Sequence, residues 1–240
     1  MCLSLEGMDS LIQLHTEMKA CRRCLQAGYE IVPGAIFRGG LSSRLMLIGQ
    51  APGVTEVEAK RPFNANSGRR LFQWLGDAGW DEDDFRERHY MTAVTKCYPG
   101  KGKNGKGDRV PSKAEQALCR PFLQREIALV QPRVLILVGG LAIKLLFPPN
   151  AKLTEVIGTA VYFPQSSLQN PVNFNIEDGV WSKTISTLQS QISAVGENGR
   201  WVVPLPHPSG ASLWPNKPAN KQLIAGAVQI LRELRAAYDL

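Results

Sequence analysis

Four cysteines, a histidine between two prolines and a glycine–proline turn are the residues whose types and spacing could do chemistry. Cys21 and Cys24 form a Cys-x-x-Cys pair, a spacing that lets both thiolates of one turn face a single metal centre. Cys97 follows a predicted strand and Cys119 sits within a predicted helix. In a cytoplasmic chain such thiols serve more often as metal ligands or core residues than as disulfides, and Cys2 falls outside the pattern. His207 is one of only 3 histidines, and Pro206 and Pro208 restrict the backbone around it. It reads either as a structural residue or as a hydrogen-bond donor to a developing oxyanion, a role that needs no charge. Residues 44–53, Arg-Leu-Met-Leu-Ile-Gly-Gln-Ala-Pro-Gly, run four large apolar residues into a turn. Gly49 and Gly53 leave room there for a ligand against bare peptide. The turn is otherwise a plain strand-to-loop bend.

The elements that must position these residues alternate between strand and helix. Residues 45–49, 90–95, 134–138 and 201–205 read as core strands, and 154–163 adds an edge strand. Residues 10–20 read as an amphipathic helix with Leu11, Leu14 and Met18 on one face and a Ser10/Gln13 capping box. A helix over 69–78 turns Leu71, Phe72 and Leu75 inward. Ser112 and Glu115 cap another that carries Cys119, runs to about residue 130 and should bend at Pro121. Gly139-Gly140 opens a short helix to 146, and a closing helix over 217–237 stripes Leu223, Ala227, Leu231 and Leu234. The pattern predicts a three-layer α/β/α sandwich around a central, mainly parallel four-stranded sheet. Residues 1–240 are expected to form a single domain, with the Ser-, Asn- and Gln-rich stretch 165–200 an insertion or flap. In a parallel sheet Gln50, Lys96-Cys97 and His207, each just past a strand, converge on one edge.

Composition narrows the class. Hydrophobic residues make up 44% and charged residues 20% of the 240, as in an ordinary globular protein. No apolar run is long enough to cross a membrane, and the start lacks a signal-peptide pattern, so a cytoplasmic monomer without a membrane partner is expected. A net charge of +7 favours a polyanionic partner. The basic run 96–113, with Lys101, Lys103 and Lys106 among its glycines, reads either as a solvated loop or as a phosphate-contacting one.

Gly-Gln-Ala-Pro-Gly (49–53), Glu56, Arg61-Pro62-Phe63 and Ser67-Gly68 together resemble the first motif of the uracil-DNA glycosylase superfamily, closest to its iron–sulfur, family 4 branch. Lys96-Cys97, Glu115 and Cys119-Arg-Pro-Phe-Leu are similar to that branch's next stretch, and His207-Pro208-Ser209-Gly210 to its second catalytic motif. The resemblance implies that Cys21, Cys24, Cys97 and Cys119 bind a [4Fe–4S] cluster, with zinc the alternative for a four-cysteine set. It implies that Phe63 stacks on a flipped base. Backbone amides near Gly49, Gln50 and Ala51 would meet the base's carbonyl edge, with Ser209 in the same set. His207 would stabilise the leaving base, and Glu56 would oppose the cation-like sugar and orient water, Gln50 completing the catalytic set. DNA is the implied partner, contacted through Lys101, Lys103 and Lys106. Leu213 or Trp214 would fill the gap left by the flipped base.

The sequence also departs from the family pattern. Gln50 replaces a Glu, Val57 an Asp and Lys60 a Gly, and Ala93 stands where an Asn usually reads uracil. Alanine cannot hydrogen-bond a base, so tolerance of other deaminated bases, hypoxanthine or xanthine, is expected unless Asn64 or Asn66 takes over. The expected activity is monofunctional removal of a deaminated base. A catalytically weak damaged-DNA-binding protein of the same fold is the alternative, which retention of Glu56, Phe63 and His207 disfavours. A nucleotide-binding α/β enzyme would need a Walker-type lysine or a Gly-x-Gly-x-x-Gly that the chain lacks.

Overall fold

The computed structural model describes residues 5–102, 105, 107–165, 176–194, 199–210 and 212–240. Strands β1 (Leu45–Gly49), β2 (Tyr90–Ala93), β3 (Val134–Val138), β4 (Ala160–Phe163), β5 (Val180–Ser182) and β6 (Arg200–Leu205) form one sheet in the order β2-β1-β3-β6-β4-β5. The helices are α1 (Leu5–Ala20), α2 (Arg23–Gln26), α3 (Val54–Ala59), α4 (Ala65–Asp77), α5 (Glu82–Arg88), α6 (Lys113–Val130), α7 (Gly140–Ile143), α8 (Leu153–Val156), α9 (Ile185–Ala194) and α10 (Pro218–Tyr238). β1, β2, β3 and β6 are parallel, and every residue of these four strands is buried, as a strand covered on both faces must be. α1 packs on α6, and α10 packs on α4 and α9.

The expected four-stranded sheet is six-stranded. β4 runs antiparallel to β6 but is an inner strand, because β5 pairs with its outer side. Residues 154–156, expected to begin that strand, instead belong to α8. The described parts of 165–200 supply β5 and α9, held to the core through the fully buried Leu188 and the half-buried Trp181. Too few apolar residues mark that stretch for periodicity to show. α1 also starts at Leu5, five residues before the Ser10/Gln13 capping box expected to open it, so Ser10 is interior to the helix. The second capping box holds: Ser112 Oγ accepts from the Glu115 amide at 3.3 Å, and Glu115 Oε2 accepts from the Ser112 amide at 2.8 Å.

The connection from β1 runs toward β2 on one side, whereas the chain after β3 continues to the other. The carboxyl ends of β1 and β3 therefore flank a topological switch point, where such sheets open a crevice. Register sets the heights at this edge. Gly49 lies opposite Ala93, and Val138 opposite Leu205, so Gln50, Ala93, Gly139 and His207 arrive level with one another.

One buried side chain makes stability pH-dependent. His89 is enclosed by Phe85 and Trp80, with ring centroids at 4.7 and 6.2 Å, and neither ring nitrogen has a hydrogen-bond partner among the described residues. Burial pushes its pKa down to about 4. The unfolded chain takes up this proton near the ordinary value of about 6.5, and the folded chain only near 4. The stability present above 6.5 is therefore lost as pH falls toward 4, by about 3 kcal/mol in all. Thermal unfolding should show a melting temperature that falls between pH 6.5 and 4. The fall should be smaller in His89→Phe, which has no proton to take up.

Candidate active site

A recess of about 620 Å³ opens at the carboxyl edge of the parallel strands, lined by Gln50, Ala51, Phe63, Ala93, His207 and Ser209 among others. Five of these six were expected to touch a substrate base, and His207 to act on its departure. Gly49 lies at the same place. A β-carbon there would stand 2.8 Å from Cζ of Phe63, so only glycine lets the ring lie across the end of β1.

The backbone of Phe63 takes a left-handed conformation, φ 51°, uncommon for a residue with a bulky side chain. Arg86 of α5 holds it there. Its guanidinium donates to the carbonyls of Pro62 and Phe63, both at 2.8 Å, and its Nε pairs with Glu82 at 2.9 Å. The guanidinium also lies 4.1 Å from the Phe72 ring centroid, so this clamp is fixed from both sides. No signal of this role is visible in the residues alone, since Arg86 sits in a charged run, Glu82 to Arg88, that reads as an exposed helix face.

His207 is prepared as a neutral donor. The Ser209 amide donates to its Nδ1 at 3.2 Å, and the Ser209 hydroxyl lies 2.8 Å from the same nitrogen. Nδ1 therefore presents its lone pair, and the ring proton rests on Nε2. Burial lowers the imidazole pKa below its usual 6.5, so the ring is uncharged at neutral pH. Gln50 is fixed beside it. The Leu141 amide at the start of α7 donates to Gln50 Oε1 at 3.3 Å, which leaves the side-chain NH₂ as a donor.

Glu56 also lines the recess, but both its oxygens are occupied. Oε2 accepts from the Gly53 amide at 3.0 Å and the Thr55 hydroxyl at 3.2 Å, and Oε1 accepts from the Asn64 amide at 3.0 Å. It clasps the loop that carries Phe63. Asn64 and Asn66, expected to take over from the missing Asn, are turned away. Asn64 Nδ2 donates to the Thr55 carbonyl at 3.3 Å, and Asn66 Oδ1 accepts from exposed Arg69 at 3.1 Å, and neither side chain lines the recess. The position of Ala93 is fixed by its backbone, whose carbonyl accepts from Lys96 Nζ at 2.5 Å.

The basic loop is only partly free. Lys96 is 2% exposed in its side chain and pairs with Glu126 at 2.6 Å, so it is an internal cation and not part of a charged surface. Arg109 grips Glu115 with both terminal nitrogens at 2.7 and 2.6 Å and holds the Glu115 carboxyl down at about 2. Lys101 is half-exposed and pairs with Asp108 at 3.1 Å. Lys103 and Lys106 lie outside the described residues. Of the two apolar candidates beyond His207, Leu213 is 73% exposed and follows Ser212, which lines the recess. Trp214 packs against the core, and its carbonyl accepts from Asn220 at 2.8 Å.

Cys21, Cys24, Cys97 and Cys119 line one separate apolar pocket together with Met18, Leu118 and Phe122. They come from the end of α1, from α2, from the segment after β2 and from α6. No group of three or more His, Cys, Asp or Glu among the described residues is arranged to hold a metal ion. The donor set nevertheless suits thiolate ligation. The Lys96 amide donates to Cys119 Sγ at 3.4 Å, the kind of contact that tunes metal-bound sulfur. Burial pushes Cys97 up to about 11 and raises Cys24 and Cys119, with the neighbouring cysteines adding to each shift. Cys24, Cys97 and Cys119 are thus protonated at neutral pH as free thiols, and ligation by them would release protons.

Fold and site together define an α/β protein with a ligand recess at the switch point of a parallel sheet. Residues 37–232 match the family model described as "Uracil DNA glycosylase superfamily". The chain is 28% identical to the Type-4 uracil-DNA glycosylase of Sulfurisphaera tokodaii over 68% of its own length and 78% of the relative's. It is 31% identical to the Type-4 uracil-DNA glycosylase of Pyrobaculum aerophilum over 62% of its own length and 70% of that protein's. The chain belongs to the uracil-DNA glycosylase superfamily.

Proposed function

We propose that this protein is a monofunctional DNA glycosylase that flips a deaminated base out of DNA and hydrolyses its N-glycosidic bond. The convergence of Phe63, neutral His207 and the Gly49–Ala51 backbone in one recess is the observation that supports this most directly. Both relatives above carry the name of such an enzyme. In this reading Phe63 stacks on the extruded base and the amides beside Gln50 meet its carbonyl edge. As the glycosidic bond lengthens, negative charge grows on the base and His207 Nε2–H donates to it, without having to lose or gain a proton itself. Glu56 supplies a fixed negative charge facing the cation-like sugar. Exposed Leu213 is the side chain placed to fill the stack, since Trp214 is anchored.

The four cysteines would hold a [4Fe–4S] cluster, which when bound supplies a rigid cross-link and no step of the hydrolysis. It would tie α1 and α6 to the base of the loop that leads to Lys101.

Specificity should follow from Ala93. A pocket that pairs a base's polar edge rejects analogues strongly because mismatched partners stay unpaired. With alanine there, and Asn64 and Asn66 turned away, that discrimination is missing. Oligonucleotides carrying uracil, hypoxanthine or xanthine should all lose their base, and Ala93→Asn should favour uracil over the others by about tenfold or more. A wild-type protein that acts on uracil alone, indifferent to Ala93→Asn, would contradict this account of the pocket.

A further inference from the structure

We propose that Asp108 is the carboxylate that orients the attacking water, an assignment that rests on the glycosylase reading above. A hydrolysis through a cation-like sugar needs an acceptor for the water's proton on the face away from the leaving base. Glu56 is poorly placed for that task because its oxygens are engaged by the Gly53 amide, the Thr55 hydroxyl and the Asn64 amide. Asp108 lines the same recess, and its two oxygens are in different situations. Oδ1 is fixed by the Tyr98 hydroxyl at 2.9 Å and the Lys101 ammonium at 3.1 Å. Oδ2 makes no hydrogen bond among the described residues and lies over Gly53, 2.8 Å from where a β-carbon would stand. Glu56 Oε2 lies 2.7 Å from that same point, so the two carboxylates are neighbours on one wall and only a glycine at 53 admits both.

The segment that delivers Asp108 is well anchored. Residue 108 bridges to Lys101, the Gly102 amide donates to the Gly107 carbonyl at 3.1 Å, and the Arg109 amide donates to the Gly100 carbonyl at 3.0 Å. The Arg109 guanidinium then fastens the loop to Glu115 and to the Glu30 carbonyl, the latter at 3.0 Å. One half of the carboxylate is thus held and the other half faces the recess.

In the step assigned here the bond from C1′ to the base nitrogen breaks and its electron pair leaves with the base, held by His207. A water oxygen bonds to C1′ and its proton passes to Asp108 Oδ2, then to solvent. The released base takes a proton from solvent, so one water is consumed for each base and abasic site formed.

Asp108→Asn keeps the shape and removes the proton acceptor. Single-turnover excision should slow by at least about 10². Affinity for an oligonucleotide bearing an uncleavable abasic analogue should stay within a factor of about two. Asp108→Glu, which restores a carboxylate, should recover part of the lost rate. An Asp108→Asn rate within a factor of about two of wild type would overturn the assignment. So would a joint fall of rate, affinity and melting temperature, which would make Asp108 a loop fastener. Should the wild type release no base from any of the three oligonucleotides, the glycosylase reading fails, and this assignment with it. Cleavage by wild type and Asp108→Asn alike removes only the assignment.

Discussion

His207→Ala is expected to slow base excision by about 10²–10³, the usual cost of removing one donor from a developing oxyanion, with DNA affinity almost unchanged. The split follows from geometry. His207 is half-buried in the wall of the recess, where its Nδ1 meets Ser209 and its ring lies beside Gln50, and exposed Lys101 is not part of that wall. Because the ring is already neutral, with its pKa below 6.5, the wild-type rate should show no loss of the His207 contribution as pH rises from 6.5 to 8. Single-turnover rates across that range, for wild type and His207→Ala, check both points. Equal fold losses in rate and affinity would instead give His207 a purely structural role.

Cys119→Ala is the substitution expected to damage the protein most broadly. Cys119 lies in the middle of α6 and shares its pocket with thiols from three other segments. In a [4Fe–4S] protein its loss should take bound iron from about four atoms per chain to less than one and bleach the brown colour. Binding energy of a ligated metal group is also folding energy, so the melting temperature should fall with the iron. Iron analysis and visible absorbance of protein purified without oxygen measure this directly. A colourless preparation containing zinc would replace the cluster by a single-ion site.

Much of this molecule is legible in its residues because burial leaves a simple trace. β1 and β3 are apolar at every position, and their ends at Gly49 and Val138 are visible without coordinates. The stripes of Leu11, Leu14 and Met18, and of Ala227, Leu231 and Leu234, are buried as helical spacing requires. β5 and α9 were hidden because a segment at the margin of a sheet needs few apolar anchors, here Trp181 and Leu188.

The site was legible where it depends on residue type and illegible where it depends on partners. Gln50, Phe63, Ala93 and His207 meet as expected, since each stands at or just past a strand end or in the loop beside one, whereas Lys96 and Cys97, expected at the same edge, line the separate thiol pocket. Nothing in a row of letters shows that Glu56 spends its oxygens on three donors, or that Lys96 is an internal cation. Asp108 was obscured for the same reason. Surrounded by lysines, it reads as a lone counter-charge, and only the fold brings it over Gly53.

Whether this recess removes a base from DNA is decided by measuring free base and abasic sites together. Purified wild-type protein is incubated with a labelled uracil-containing oligonucleotide, the released base is quantified, and the strand is then treated with alkali. Equal amounts of free uracil and of alkali-labile strand are expected, with no strand cleavage before the alkali. Tight binding of the damaged strand with neither product would contradict it and leave a damage-binding protein of the same fold.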